Sequence, residues 1–175
     1  METERLVFRR YNENDKPDFI KLFTDAEVMK QVGNGVLNNE QAKALWRKLF
    51  EKLYPQKFNI WAILTKPDFV YAGHAGIYPR PTKNEDWEFV YFLKRDAWGS
   101  GYATEIAGRI IEYGFKDLNL PEVFATVDDE HSASINVLKK AGMSFKNYEY
   151  DEQGRYSVYS IKKNLTSANT GNKEN

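Results

Sequence analysis

Trp98-Gly99-Ser100-Gly101-Tyr102-Ala103-Thr104-Glu105 decides how this chain is read, because it joins two segments of different periodicity. Before it, "WEFVYFL" (Trp87 to Leu93) is apolar on both alternating faces except at Glu88, the pattern of a central strand covered on both sides. After it, Ala103, Ile106, Ala107, Ile110 and Ile111 recur at helical spacing. The junction is therefore a glycine-rich turn from strand to helix. Glycines let the backbone approach a ligand closely, and a helix start presents unpaired N–H groups and the positive end of the helix dipole, which suits a phosphate or pyrophosphate. Taken alone, the turn reads equally as a tight connection needing positive φ. A dinucleotide loop would need glycine where Thr104 stands, and a P-loop needs Gly-Lys-Ser/Thr, which is absent.

On the N-terminal side, "LVFRRY" (Leu6 to Tyr11) reads as a strand and "NENDKPDF" as a helix start, with Asn14 or Asp15 as cap and Pro17 early in the helix. A clearer amphipathic helix follows Asn38-Asn39, with Ala42, Leu45, Trp46, Leu49, Phe50 and Leu53 on one side until Pro55. "NIWAIL" (Asn59 to Leu64) and "FVYAGHAGIY" (Phe69 to Tyr78) read as a hairpin around Thr65-Lys66-Pro67-Asp68, and "RPTKNED" as a polar loop. On the C-terminal side come a strand at Glu122 to Val127 and a helix from about Ser132. Ile135, Leu138 and Ala141 of that helix face inward, and Gly142 ends it. Two last strands, around Phe145 to Tyr150 and Tyr156 to Ile161, turn at Asp151-Glu152-Gln153-Gly154. The order β-α-α-β-β-β-α-β-α-β-β mixes hairpins with one crossover and predicts an α+β fold on a mixed sheet. Residues 165–175, "LTSANTGNKEN", read as a flexible polar tail after a single domain of residues 1–164.

Composition narrows the chemistry. A chain of 175 residues that is 42% hydrophobic can bury roughly 70% of its unfolded surface in one core. Twenty-five basic residues balance twenty-five acidic ones, so no net field draws the protein to nucleic acid or to an anionic membrane. Without cysteine there is no thiolate nucleophile and no Cys-based zinc or iron–sulfur site. His74 and His131 are far apart and lack the spacing of metal ligands, so no metal is expected. The acidic N-terminus is not a signal peptide, and no run of ~18 to 20 apolar residues spans a bilayer. A cytoplasmic protein, monomer or homodimer, that handles small molecules is the expectation.

"WGSGYATE" after "WEFVYFLKRDA", followed by "HSASINVLKKAGM", resembles the acetyl-CoA signature of the GNAT acetyltransferases, specifically their RimJ/RimL-like branch. The opening "TERLVFRRYNENDKPDFIKLFTDAEVM" is similar to that branch as well, so the resemblance covers nearly the whole folded chain. Gly101 and Ala103 match the small positions of the superfamily pattern, while Trp98 departs from its first position. The resemblance implies a three-layer α/β/α fold with a strongly twisted mixed sheet whose fourth and fifth strands splay apart. Acetyl-CoA would lie in that gap. Backbone N–H groups of Gly99, Ser100, Gly101, Tyr102, Ala103 and Thr104 would hold its pyrophosphate, and Phe92, Leu93 and Lys94 would pair with its pantetheine arm. A strand N–H would stabilise the oxyanion formed when an amine attacks the thioester directly in a ternary complex. The amine would be a protein N-terminus or a small molecule.

Such a transfer needs a base for the amine proton and an acid for the leaving thiolate. Glu88, a carboxylate inside an apolar strand, is the candidate base, since burial raises a carboxyl pKa; it also matches the family's strand-four glutamate. The alternative is a strand-end carboxylate that reaches solvent or pairs with an arginine, and Glu85 and Asp86 are nearby competitors. The tyrosine that the wider superfamily uses as acid is replaced by Leu138, and the branch's serine matches Ser134, which also reads as a helix cap. His131 stands where the branch usually has asparagine, either touching the cofactor or substrate or exposed in a loop. His74 reads as a packed strand residue. Trp87, Tyr91 and Phe92 are candidates for the acyl pocket or plain core. Arg9, Arg10, Arg80 and Gly33-Asn34-Gly35 lie where the family forms its acceptor groove. The alternatives to an enzyme are a non-catalytic acyl-CoA-binding module, or an interaction domain with no CoA site.

Overall fold

The alternation in "LVFR" becomes strand β1 (Leu6–Arg9), whose inward Leu6 and Phe8 are almost wholly buried. The strand stops short of Tyr11 because Asn12 begins a capping box. Its side chain accepts from the Asn14 N–H at 3.0 Å, and Asp15 accepts from the Asn12 N–H at 2.8 Å. The cap is therefore Asn12, which starts a 3-10 turn, rather than Asn14 or Asp15. Asp15 is taken by Arg9, two bonds of 2.7 Å each, and makes no cap bond to helix α1 (Lys16–Thr24). A one-turn helix α2 (Ala26–Met29), unforeseen in the sequence, is capped by Asp25. Helix α3 (Asn39–Lys48) starts in the Asn38/Gln41 capping box and widens into a π turn, Leu49–Leu53, before Pro55. The computed structural model describes residues 1–30, 35–56, 58–80, 83–152 and 154–164. The expected tail and most of Gly33-Asn34-Gly35 lie outside the described residues.

The sheet is completed by β2 (Asn59–Thr65), β3 (Tyr71–Arg80), β4 (Lys83–Leu93), β5 (Glu122–Asp128), β6 (Ser144–Asp151) and β7 (Gly154–Lys162). Helices α4 (Tyr102–Lys116) and α5 (Ser132–Lys140) flank β5 in sequence. The strand order is β1-β2-β3-β4-β5-β7-β6, a mixed seven-stranded sheet with helices on both faces. Two further strand boundaries differ from the sequence reading. Strand β3 begins at Tyr71, because Phe69 takes φ 53° and leaves the ladder. Strand β4 already begins at Lys83, inside the supposed loop "RPTKNED", since backbone pairing of Lys83 with Arg80 needs no apolar side chain.

Neighbouring strands are antiparallel except β4 and β5, joined through α4. That parallel pair is registered only at Trp87↔Val123 and Glu88↔Phe124. From Phe89 onward the two strands diverge and the sheet opens. This corrects the view of β4 as covered on both sides: Phe89 and Leu93 are buried, but Trp87, Val90, Tyr91 and Phe92 are only half-buried along the gap. One core packs α4 and α5 on the sheet through Ile77, Ile106, Ile110, Val123 and Leu138. The other packs α1 and α3 through Phe19, Leu22, Trp46, Leu49 and Ile60. Among the described residues, no helix is long and apolar enough to cross a membrane.

Candidate functional site

Gly99 and Gly101 adopt φ of 73° and 79°, a left-handed conformation that costs an L-side chain roughly 1–2 kcal/mol. The glycines are thus needed by the turn itself, whatever binds there. Gly101 is the N-cap of α4, and the first helical bond runs from the Glu105 N–H to the Gly101 carbonyl at 3.3 Å. Tyr102, Ala103 and Thr104 consequently direct their N–H groups out of the helix start beside the gap. Arg5, which the sequence reading overlooked, buttresses this loop. Its guanidinium donates to the Ser100 carbonyl at 2.9 Å and to Glu105 at 2.8 Å, and lies 4.9 Å from the Tyr102 ring centre. Burial works to raise the Glu105 pKa, but the Thr3 hydroxyl and the Arg5 N–H and guanidinium hold it below the ordinary value. A charge at the helix start that could repel an anion is thereby paired with a cation.

The phase of β4 decides which backbone groups face the gap. The Lys94 N–H donates to the Ala72 carbonyl at 3.0 Å, so Lys94, and with it Phe92 and Val90, turn their polar groups to β3. Phe89, Tyr91 and Leu93 turn theirs to the opening. Of the three residues expected to pair with an extended ligand, Leu93 turns its polar groups to the opening together with Phe89 and Tyr91, while Phe92 and Lys94 turn theirs to β3. The Leu93 carbonyl accepts the Trp98 indole N–H at 2.8 Å. Trp98, half-exposed, thus sits at the mouth of the gap.

Glu88 stands at the vertex where the strands part. One carboxylate oxygen accepts from the Thr126 N–H at 3.2 Å and from the Thr126 hydroxyl; the other lies 3.4 Å from Arg80 Nε. Its side chain fills the position of the next β4–β5 backbone partner. Burial pushes the Glu88 pKa above its ordinary value, and Thr126 and Arg80 offset this only in part. Burial, with Glu88 nearby, likewise raises Tyr78, its cross-strand partner. Glu85 is exposed, whereas Asp86, 3.9 Å from Arg80, stands near the vertex without the Thr126 bonds that hold Glu88 there.

Ser134 comes from the other side of the sheet. His131 is the N-cap of α5 without a side-chain cap bond, and Ser134, two residues into the helix from Ser132, meets the Tyr91 hydroxyl at 3.2 Å instead of capping. This pair bridges β4 and α5 across the gap. Burial raises the Tyr91 pKa, partly offset by Ser134. His131 is half-buried, and burial lowers its pKa against the pull of Asp128. Leu138 is core. Alternation places Glu88 and Phe92 on one face of β4 and Trp87 and Tyr91 on the other. Phe92 packs on His74 and Phe23, whereas Tyr91 lies against the α4–α5 core, so the three aromatics do not line one pocket.

The other basic candidates have structural partners. Arg9 clasps Asp15, Arg10 lies 4.7 Å from the Tyr54 ring centre, and Arg80 is buried among carboxylates. His74 is buried and bonded through Nδ1 to the Tyr11 hydroxyl at 3.0 Å, which itself meets Tyr71 at 2.9 Å. Burial pushes its pKa down to about 3, so it is neutral at ordinary pH.

A model of the acetyltransferase (GNAT) domain matches residues 5–144. The uncharacterized N-acetyltransferase YnaD of Bacillus subtilis is 33% identical over 141 residues, covering 81% of this chain and 80% of YnaD. Spermidine N-acetyltransferase from Vibrio cholerae, solved with CoA and spermine, aligns at TM-score 0.76 and 14% identity over 91% of this chain and 96% of its own. Ribosomal-protein-S5-alanine acetyltransferase from Vibrio fischeri aligns at TM-score 0.74 and 16% identity over 95% and 98%. At these identities the two structural likenesses concern the fold.

Proposed function

The chain belongs to the GNAT acetyltransferase family, and on that premise we propose that it moves the acetyl group of acetyl-CoA to a primary amine by direct attack in a ternary complex. The observation that carries the proposal is the opening of the sheet past Glu88↔Phe124, with the glycine loop and the α4 N-terminus at its mouth. In this reading, the N–H groups of residues 99–104 bind the pyrophosphate. Outward polar groups of Phe89, Tyr91 and Leu93 take the pantetheine arm, and one strand N–H supports the oxyanion. Phe92, Lys94 and His131 border this path.

Glu88, with its raised pKa, receives the amine proton through a water on one face of β4. The nitrogen attacks the thioester carbon, the carbon–sulfur bond breaks, and the thiolate takes a proton from the Tyr91–Ser134 hydroxyls on the other face. Base and acid thus approach the reacting centre from opposite sides, and no covalent enzyme intermediate is needed. We assign this activity to residues 1–164 and place the chain in the RimJ/RimL-like branch. Its acceptor is a protein N-terminal amine or a small-molecule amine. The two fold neighbours named above, one acting on spermidine and one on a ribosomal-protein alanine, bracket that choice.

Release of free CoA from acetyl-CoA with a panel of N-terminal peptides, polyamines and aminoglycosides tests the proposal. At least one amine is expected to be acetylated, and Glu88→Gln to lower that turnover by about 10². CoA binding with turnover and background thioester hydrolysis unchanged in Glu88→Gln would remove Glu88 from the reaction.

A further inference from the structure

Arg80 is the least exposed arginine at the site, 4% by side chain, and lies at the end of β3 beside the vertex. A buried guanidinium needs compensation, and it has three carboxylates within 4 Å: Glu149 at 2.7 Å, Glu88 at 3.4 Å and Asp86 at 3.9 Å. They are not equivalent. Glu149 takes the fork of the guanidinium, with Nη2 at 2.7 Å and Nη1 at 3.4 Å from its two oxygens. Glu88 receives only the single Nε edge. Arg80 also stacks 5.9 Å from the Phe124 ring centre, so its side chain crosses from β3 over β5 to β6. Among the described residues, the charged and titratable groups around Glu88 include Arg80 and Tyr78 from β3, Asp86 from β4 and Glu149 from β6. Tyr156 from β7 donates to Glu149 at 3.2 Å.

We infer that Arg80, shared unequally between Glu149 and Glu88, is a positioning residue for the base: it orients the Glu88 carboxylate toward the opening without neutralising it. The inference rests on the reading of Glu88 as base. Were Arg80 bidentate to Glu88, the carboxylate would be a poor proton acceptor, because a close cation favours the ionised form. Were Arg80 absent, three carboxylates would crowd the vertex. Glu149 prevents the first arrangement by holding the fork, and it adds a negative charge that favours the protonated form of Glu88. A merely structural strap between the two halves of the sheet would not require this unequal division.

The test uses the protein alone, labelled with ¹³C at its glutamate carboxyls, with the Glu88 resonance assigned by its loss in Glu88→Gln. Glu149→Gln, which is isosteric, removes a negative charge and frees the guanidinium for Glu88, so the Glu88 midpoint is expected to fall by about one pH unit. Arg80→Met removes the cation, so the midpoint is expected to rise by about the same amount. General loosening would admit water and lower both. Midpoints unmoved by either change, or moved downward by both, would overturn the inference. If Arg80→Met does not fold by circular dichroism, Glu149→Gln decides alone: a fall supports the inference and no change ends it. The readout needs no turnover, so the two readings separate. Midpoints that move as stated while Glu88→Gln keeps full turnover would sink the base and leave the positioning of Glu88 standing.

Discussion

Replacing Ser134 by alanine removes the hydroxyl that meets Tyr91 across the gap, and the geometry allows its two consequences to be told apart. The oxygen–oxygen distance of 3.2 Å is longer than the 2.5–3.0 Å of a good hydroxyl hydrogen bond, so the contact contributes about 0.5 kcal/mol to folding. In a chain of this size that lowers Tm by about 1–2 °C. The catalytic effect is larger. A general acid contributes about 10²–10⁴, and a thiol, with a pKa of about 8.5, needs the lower end, so kcat is expected to fall by about 10², or about 2.7 kcal/mol. Tyr91→Phe keeps the ring and removes the group that orients Ser134, so it is expected to fall less, by about tenfold. Because the two hydroxyls act as one unit, the double variant should be no slower than Ser134→Ala alone. The assay is steady-state release of free CoA at saturating acetyl-CoA and amine, beside thermal melts of all four proteins. Ser134→Ala turning over within about threefold of the parent would refute the serine as acid, and a collapse confined to Tyr91→Phe would transfer the role to the phenol.

At Gly114, α4 lies close against the sheet. A Cβ there would lie 2.9 Å from the wholly buried Val123, so Gly114→Ala should lose about 1–3 kcal/mol to overpacking against a helix gain of about 1. Urea unfolding should show a lower midpoint, and an unchanged one would mean that α4 can lift. Burial holds the His74 pKa down at about 3, so below its ordinary value of 6.5 the unfolded chain binds a proton that the folded chain does not. Stability should therefore fall between pH 7.5 and 5 by about 2 kcal/mol more than in His74→Gln, and parallel losses in both proteins would contradict this. Arg5→Met should loosen the glycine loop and weaken CoA binding about fivefold by calorimetry, the modest effect of losing a half-exposed ion pair. An unchanged Kd would leave Arg5 a surface residue only.

Local pattern carried most of the fold. The α3 ladder, the Gly142 helix stop and the strand–turn–helix around Gly99 and Gly101 are each set by residues close in sequence, so periodicity and turn chemistry reveal them. Where a specific partner overrides local polarity, the reading slips: Lys83 joins β4 through its backbone pairing with Arg80, and Asn12 becomes the cap because Arg9 claims Asp15. Ser134 and Glu88 were visible as residue types at matching positions. Their partners were not. Arg5 is about a hundred residues from Glu105, Tyr91 is separated from Ser134 by a helix and a strand, Thr126 and Arg80 meet Glu88 from β5 and β3, and Glu149 meets Arg80 from β6.

By itself, then, the amino-acid sequence determined the elements, the glycine loop and the absence of a thiol, because these depend on local backbone preference and composition. Only the tertiary structure decided that β4 and β5 part after two residue pairs, which of β4's backbone groups face the opening, and which carboxylate stands at the vertex. Those are matters of strand phase and of charges brought together from distant segments, and no single segment of the chain contains them.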